Sequence, residues 1–141
     1  MPGIEDRLPR IFVAEDNPGD VYLVRMALQE HGVKGDLQLS EHGDQASRAL
    51  REMAAGQRPD LVLMDLNLPG KGGIEILSEL RSDERFENVP VVVMTSSAAA
   101  SDRAAAEELG ISHYFRKPTH LTEFLALGGI IKTLLPHAAS K

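Results

Sequence analysis

The 141-residue chain contains no cysteine, and aromatic residues make up only 4% of it. Without cysteine, disulfide bonds, thiolate metal sites and thiol redox chemistry are excluded. No apolar stretch approaches the roughly 20 residues of a membrane-spanning helix, and the N-terminus lacks the apolar core of a signal peptide. These absences predict a cytoplasmic protein that does not insert into a membrane.

The chain also lacks a basic stripe, and its formal net charge is -6. This charge balance argues against direct binding to nucleic acid. Hydrophobic residues make up 43% of the chain, which is typical of a globular protein. The length corresponds to one domain.

Apolar runs alternate with helical patterns five times along the chain. This alternation predicts an α/β fold with a parallel sheet covered by helices on both faces. The predicted strands cover about 10–15, 36–41, 60–64 and 89–94, with a fifth just before Lys117. The predicted helices cover about 18–31, 44–55, 73–83, 99–109 and 121–135. These units fill about 10–135, so we expect a single domain over 1–141 with no output domain.

Polar and charged residues stand where four of the predicted strands end. Glu15 and Asp16 follow the first strand, Asp65 the third, Thr95 the fourth and Lys117 the fifth. In an open parallel sheet, ligands bind outside the carboxyl ends of the strands. Carboxylates that close together repel one another unless a cation lies among them. The pattern therefore predicts a site for a divalent metal and a phosphoryl group.

Together, these residues resemble the signature of the response-regulator receiver domain over about residues 10–135. The matching features are Glu15-Asp16, Asp65 with Asn67 and Pro69, Thr95, and Lys117-Pro118. The resemblance implies a flavodoxin-like receiver fold with a five-stranded parallel sheet in the order 2-1-3-4-5. It also implies a stand-alone two-component response regulator, which accepts a phosphoryl group from a sensor histidine kinase. Such a protein is a phosphoacceptor that assists its own phosphorylation and dephosphorylation, and not an enzyme in the usual sense.

The resemblance assigns a phosphoacceptor and a metal site. Asp65 is the expected phosphoacceptor, because a carboxylate can attack phosphorus and form an aspartyl phosphate. The expected cofactor is Mg²⁺, which prefers oxygen ligands and keeps several waters. Asp16 and Asp65 are expected to bind it directly, Glu15 through water and Asn67 through its backbone carbonyl. The simpler alternative is that these acids only cap a loop and a helix.

The resemblance also assigns a lysine and a switch. Lys117 is expected to contact the phosphoryl oxygens, aimed inward by a cis peptide bond to Pro118. Thr95 is expected to donate a hydrogen bond to the phosphoryl group, while the ring of Tyr114 swings inward. The competing interpretation makes Tyr114 a half-buried strand residue whose hydroxyl lies in water. The resemblance also places Asn67 and Ser97 where the family controls the access of water to the phosphoryl group. Both are small and polar, so we hypothesise that water reaches the group and the phosphorylated state is transient.

The predicted last helix carries two apolar stripes and a Gly128-Gly129 pair. One stripe contains Leu121, Phe124, Leu125 and Ile131, and the other contains Leu127, Ile130 and Leu134. Since one stripe suffices to cover a sheet, the other predicts a homodimer contact, which we expect to include the fifth strand. The alternative is a wider buried stripe on a monomer. Two glycines within a helix indicate a close backbone approach or a kink. The segment 15–20 further resembles stand-alone regulators paired with phytochrome-type histidine kinases.

Four other functions share parts of this pattern. A flavodoxin-like FMN protein would need a phosphate-binding loop where this chain is acidic. A P-loop enzyme would need a glycine at a fixed distance before Lys71, which is missing. An aspartyl-phosphate phosphatase or mutase would need a second acid and usually a cap domain, neither of which is evident. A degenerate receiver that only binds partners would not need the complete acidic set with Thr95 and Lys117.

Overall fold

The computed structural model describes residues 7–136, in which five strands alternate with five α-helices. The strands are β1 (Arg10–Ala14), β2 (Asp36–Ser40), β3 (Leu61–Met64), β4 (Val91–Thr95) and β5 (His113–Arg116). The helices are α1 (Pro18–Glu30), α2 (Gly43–Arg51), α3 (Gly73–Arg81), α4 (Ala100–Glu108) and α5 (Leu121–Leu134). Within the same residues, no helix is both long enough and apolar enough to cross a membrane.

The five strands form one parallel sheet in the order β2-β1-β3-β4-β5, which confirms the predicted fold class and strand order. The central strands β3 and β4 are buried along their whole length, as their continuous apolar sequences predict. The edge strands β2 and β5 are only partly buried. The carboxyl ends of all five strands therefore lie along one edge of the sheet.

Alternate residues of each strand supply two hydrophobic cores on opposite faces of the sheet. Phe12, Val62 and Met64 belong to the core covered by α2, α3 and α4. Ile11 and Leu63 belong to the core covered by α1 and α5. Because helices pack on both faces, the sheet is rigid beneath the residues at its carboxyl edge.

The starts of α1 and α4 at the carboxyl edge are capped differently. Asn17 is the N-cap of α1, and its side chain accepts hydrogen bonds from the backbone N–H groups of Gly19 and Asp20. Ala99 is the N-cap of α4 and makes no side-chain hydrogen bond there. The preceding loop instead bonds to the first turn of α4 through Ser97.

Helix α5 buries one face, and the predicted division into two separate apolar stripes is wrong. Phe124 and Ile131 from one predicted stripe and Leu127 from the other are all buried. Leu121 begins the helix and is 48% exposed. The two stripes merge because α5 packs against both the sheet and α1, which together cover a wide arc of the helix.

The glycine pair in α5 marks a close backbone approach, one of the two possibilities that the sequence indicated, and the neighbouring helix is α1. A Cβ atom added at Gly128 would lie 2.0 Å from the carbonyl oxygen of Ala27 in α1. That distance leaves no room for any side chain. Next to this contact, the His31 ring lies against Gly129, and its Nε2 is 3.0 Å from the carbonyl oxygen of Leu125.

Candidate functional site

The sheet brings the predicted site residues to its carboxyl edge through backbone contacts that fix their order. The N–H group of Asp65 donates to the carbonyl of Ala14 on β1 over 3.0 Å. The N–H group of Lys117 donates to the carbonyl of Thr95 at the end of β4 over 2.8 Å. The residues that follow β1, β3, β4 and β5 are therefore neighbours in space.

Three of the predicted acids form a compact group. Glu15, Asp16 and Asp65 each offer a carboxylate oxygen, and these oxygens lie within 4.8 Å of one another. Glu15 and Asp65 are only 1% and 4% exposed, whereas Asp16 lies at the surface. Backbone N–H groups orient the two buried acids, since Asn67 donates to Asp65 Oδ1 over 3.0 Å and Asn17 donates to Glu15 Oε2 over 3.1 Å.

The side chain of Lys117 points into this acidic group. Its Nζ lies 2.9 Å from Asp65 Oδ2, 2.9 Å from Glu15 Oε1 and 2.7 Å from Asp20 Oδ2. Sequence reasoning missed Asp20. A signal was available, because Asp20 lies in the first turn of the helix that begins directly after Glu15-Asp16. Asp20 therefore returns over the same end of the sheet.

Burial and charge alter the protonation of these groups. Burial raises the pKa of Glu15 to about 7, an effect that its contact with Lys117 opposes and the charge of Asp65 reinforces. Burial also acts to lower the pKa of Lys117, but its contacts with Asp20, Asp65 and Glu15 outweigh that effect and raise the pKa. Lys117 consequently stays charged at neutral pH.

The acidic group suits a hard divalent cation. Glu15 Oε1 is buried and makes no hydrogen bond of suitable geometry to any residue in 7–136, although Lys117 Nζ is nearby. One ammonium group faces the carboxylates of Glu15, Asp65 and Asp20, so negative charge remains uncompensated. Oxygen donors with excess negative charge are what Mg²⁺, Mn²⁺ and Ca²⁺ bind.

The predicted switch residues are linked through the loop after β4. Thr95 is fully buried, and its Oγ1 accepts hydrogen bonds from Asn67 Nδ2 and from the N–H group of Ser97, each over 3.3 Å. The half-buried Tyr114 donates its hydroxyl to the carbonyl of Ser97 over 3.2 Å. The guanidinium of Arg103 lies 5.3 Å from the centre of the Tyr114 ring. The Tyr114 hydroxyl thus bonds to the protein itself, unlike in the competing interpretation.

The prediction of a cis peptide bond before Pro118 is wrong, because every peptide bond within residues 7–136 is trans. An X–Pro bond favours trans by about 0.5–1 kcal/mol in the absence of other constraints. Here the backbone hydrogen bond to Thr95 and the three carboxylates already direct the Lys117 side chain inward. The direction of the lysine therefore needs no cis bond.

A family model of the response regulator receiver domain matches residues 11–127. The chain belongs to this family. The receiver is 32% identical to the response regulator Rcp1 of Synechocystis sp. over 120 residues, which cover 83% of this chain and 82% of Rcp1. In keeping with its family, the receiver acts in two-component signalling, where the partner is a histidine kinase, and binds a divalent metal.

Solved structures with the same fold include two cyanobacterial regulators. The phosphorylated phytochrome response regulator RcpA superimposes with a TM-score of 0.81 at 32% identity, covering 92% of this receiver and 99% of that chain. The Mn²⁺-bound form of Rcp1 superimposes with a TM-score of 0.79 at 31% identity, covering 91% of this receiver and 95% of that chain. Both resemblances extend over nearly the whole receiver.

Proposed function

We propose that this receiver accepts a phosphoryl group on Asp65 from the phosphohistidine of a sensor histidine kinase, with Mg²⁺ as the cofactor. The observation that carries the proposal is the 2.9 Å contact between Lys117 Nζ and Asp65 Oδ2, next to the acids Glu15 and Asp16. A phosphoryl acceptor, a fixed positive charge and oxygen ligands for a metal are thereby combined at one point.

In the proposed transfer, a carboxylate oxygen of Asp65 forms a bond to phosphorus while the phosphorus–nitrogen bond of the phosphohistidine breaks. The electron pair of the broken bond returns to the imidazole, which leaves as the donor's histidine. Lys117 stabilises the charge that spreads over the equatorial oxygens during transfer. The N–H group of Asn67 keeps the carboxylate of Asp65 oriented.

The same carboxylates would hold the metal. Asp16 and Asp65 would bind Mg²⁺ directly, Glu15 through water and Asn67 through its backbone carbonyl. When bound, the cation neutralises part of the charge of the acidic group and of the phosphoryl oxygens. The uncompensated carboxylates described above support this assignment.

The proposed output is a change in the face formed by α4, β5 and α5. Thr95 donates its hydroxyl to the phosphoryl group, and the loop that contains Ser97 moves with it. Tyr114 then exchanges its hydrogen bond to Ser97 for a more buried position. This face would bind a partner protein, and Asn67 and Ser97 would admit the water that ends the signal.

The sensor kinase we propose is a phytochrome-type histidine kinase. The support is the similarity to Rcp1, to the phytochrome regulator RcpA and to the bacteriophytochrome response regulator RtBRR, which is 31% identical with a TM-score of 0.70. The receiver would act as a stand-alone regulator, since its match covers 82% of Rcp1.

The homodimer through α5 and β5 stays a prediction. Less apolar surface is available for it than the sequence indicated. The large apolar residues of α5 that stay at least partly exposed are Leu121, Leu125, Ile130 and Leu134. Light scattering at high protein concentration, with and without a phosphoryl donor, measures the mass directly. A monomer mass under both conditions would contradict the prediction.

Phosphorylation is tested by incubating the protein with acetyl phosphate and MgCl₂ and measuring the intact mass. One added phosphoryl group is expected, and both Asp65→Asn and removal of Mg²⁺ with a chelator should abolish it. Asp44→Asn is the matched control, because Asp44 is an exposed aspartate in the first turn of α2. Phosphorylation that survives Asp65→Asn would refute the assignment of Asp65.

A further inference from the structure

The third carboxylate on Lys117 has no part in the reaction described so far. Asp20 lies in the first turn of α1, and its Oδ2 is 2.7 Å from Lys117 Nζ, closer than either Glu15 or Asp65. Asp20 lies outside the group of acids whose oxygens are close enough to share one metal ion, as far as residues 7–136 show. Its contact with the lysine is therefore a separate feature of the site.

The position of Asp20 is fixed by the start of α1. Its backbone N–H group donates to Asn17 Oδ1 over 3.2 Å, and the same oxygen accepts from Gly19 over 2.8 Å. Its side chain is largely buried with that of Lys117, at 19% and 13% exposure. An acid in a first helical turn also interacts favourably with the helix dipole, which is the alternative role for Asp20.

The lysine ammonium has three protons and meets three carboxylates. Without Asp20, only Glu15 and Asp65 would remain, and the ammonium would move further onto the oxygen that must attack phosphorus. A carboxylate oxygen that is fully paired with a cation is a weaker nucleophile, and the pair must separate before the phosphoryl group can approach. By sharing the ammonium, Asp20 weakens the resting ion pair between Lys117 and Asp65, which would otherwise slow the transfer.

We propose that Asp20 is a positioning residue, which shares the Lys117 ammonium with Asp65 and so limits how strongly the lysine pairs with the phosphoacceptor. This inference rests on the proposed phosphorylation of Asp65. It predicts whether a substitution of Asp20 speeds or slows phosphorylation. If Asp20 acted only as an extra negative charge that repels the donor, its removal would speed phosphorylation. If it positions the lysine, its removal slows phosphorylation.

The test compares Asp20→Asn and Asp20→Ala with the wild-type protein, using acetyl phosphate and saturating MgCl₂. We expect the initial phosphorylation rate to fall about tenfold, less than the roughly hundredfold loss that a 1 Å misplacement of a reacting group can cause. Mg²⁺ affinity, measured by calorimetry without donor, should stay within about twofold of wild type, because Asp20 is not a metal ligand in this scheme. Asp20→Glu, which keeps the charge, should recover most of the rate.

Glu75→Gln is the matched control, because Glu75 is an exposed acid in the first turn of α3 and should leave the rate unchanged. Asp20→Asn keeps the size of the side chain, so it tests the inference even where Asp20→Ala does not fold. An unchanged or faster rate in Asp20→Asn would overturn the role of Asp20 alone. A wild-type protein that takes up no phosphoryl group would overturn both this inference and the proposed function.

Discussion

The contact between α1 and α5 makes a sharp prediction, because two adjacent glycines should respond differently to the same substitution. In Gly128→Ala, the new Cβ would lie 2.0 Å from the carbonyl oxygen of Ala27 and 2.6 Å from its carbonyl carbon. Ordinary contacts begin at 3.4 Å, so the two helix backbones would have to separate by more than an ångström. Both helices pack on the same core, so this separation would also open that core.

Two opposing effects set the change in the free energy of unfolding for Gly128→Ala. Overpacking a well-packed core costs about 1–3 kcal/mol and occasionally more, and a clash between two backbones belongs at the upper end. Alanine improves helix propensity over glycine by about 1 kcal/mol. The free energy of unfolding of Gly128→Ala should therefore fall by about 2 kcal/mol. With a urea m-value of about 1–3 kcal/mol/M, the unfolding midpoint should fall by roughly 1 M.

Gly129→Ala is the matched control for this substitution. The three atoms nearest to its added Cβ all belong to the His31 ring, the closest being Cε1 at 3.1 Å, and a side-chain ring can tilt away. We expect its midpoint to stay within about 0.3 M of wild type, because the gain in helix propensity offsets the displacement of the ring. Urea unfolding followed by circular dichroism measures all three proteins. A Gly128→Ala midpoint equal to or above that of wild type would refute the close approach of the two helices.

Two further predictions concern polar contacts outside the metal group. Hydrogen bonds from Lys71 and Ser47 lower the pKa of Glu79 below its ordinary value of 4.5. The ionised Glu79 therefore stabilises the fold above pH 4.5, and this stabilisation is lost as the pH falls through the lowered pKa. The difference between the urea midpoints of wild type and Glu79→Gln should accordingly be largest near pH 6 and shrink as the pH is lowered below 4.5, and a constant difference would contradict the linkage. Tyr114→Phe removes the hydrogen bond to Ser97, so amide exchange should accelerate in 96–99 and stay unchanged in α1, whereas uniform acceleration would indicate a general loss of stability.

The fold and most of the site could be predicted because both depend on patterns within single elements. Continuous apolar runs distinguish central strands such as β3 from the alternating edge strand β2. Once the strands are parallel, the residues that follow them must meet at one edge, whatever their individual contacts. The convergence of Asp65 and Lys117 follows from topology alone.

What the sequence could not predict depends on contacts between elements. Asp20 reaches Lys117 because the first turn of α1 and the residue after β5 meet at the carboxyl edge, where Asp20 Oδ2 lies 2.7 Å from Lys117 Nζ. Leu121 looks like a core residue by helical periodicity, yet it begins α5 and is 48% exposed. The start of α4 depends on Ser97, which precedes the N-cap. Its hydroxyl donates to Asp102 over 2.6 Å and so joins the loop to the first turn of the helix.

The hydrogen bonds of Thr95 explain how a charge at the carboxyl edge could reach the surface. A hydroxyl has two acceptor positions and one proton, and both acceptor positions of Thr95 are taken by Asn67 and Ser97. Within residues 7–136 its proton has no partner, so it is free to bond to a phosphoryl oxygen. Ser97 donates its N–H group to the Thr95 hydroxyl and accepts a hydrogen bond from Tyr114 at its carbonyl. A shift of the Thr95 hydroxyl in the proposed switch would therefore displace Ser97, to which both side chains bond. In the proposed switch, Tyr114 then follows the loop or loses its hydrogen bond, and either response alters the face of β5 offered to a partner.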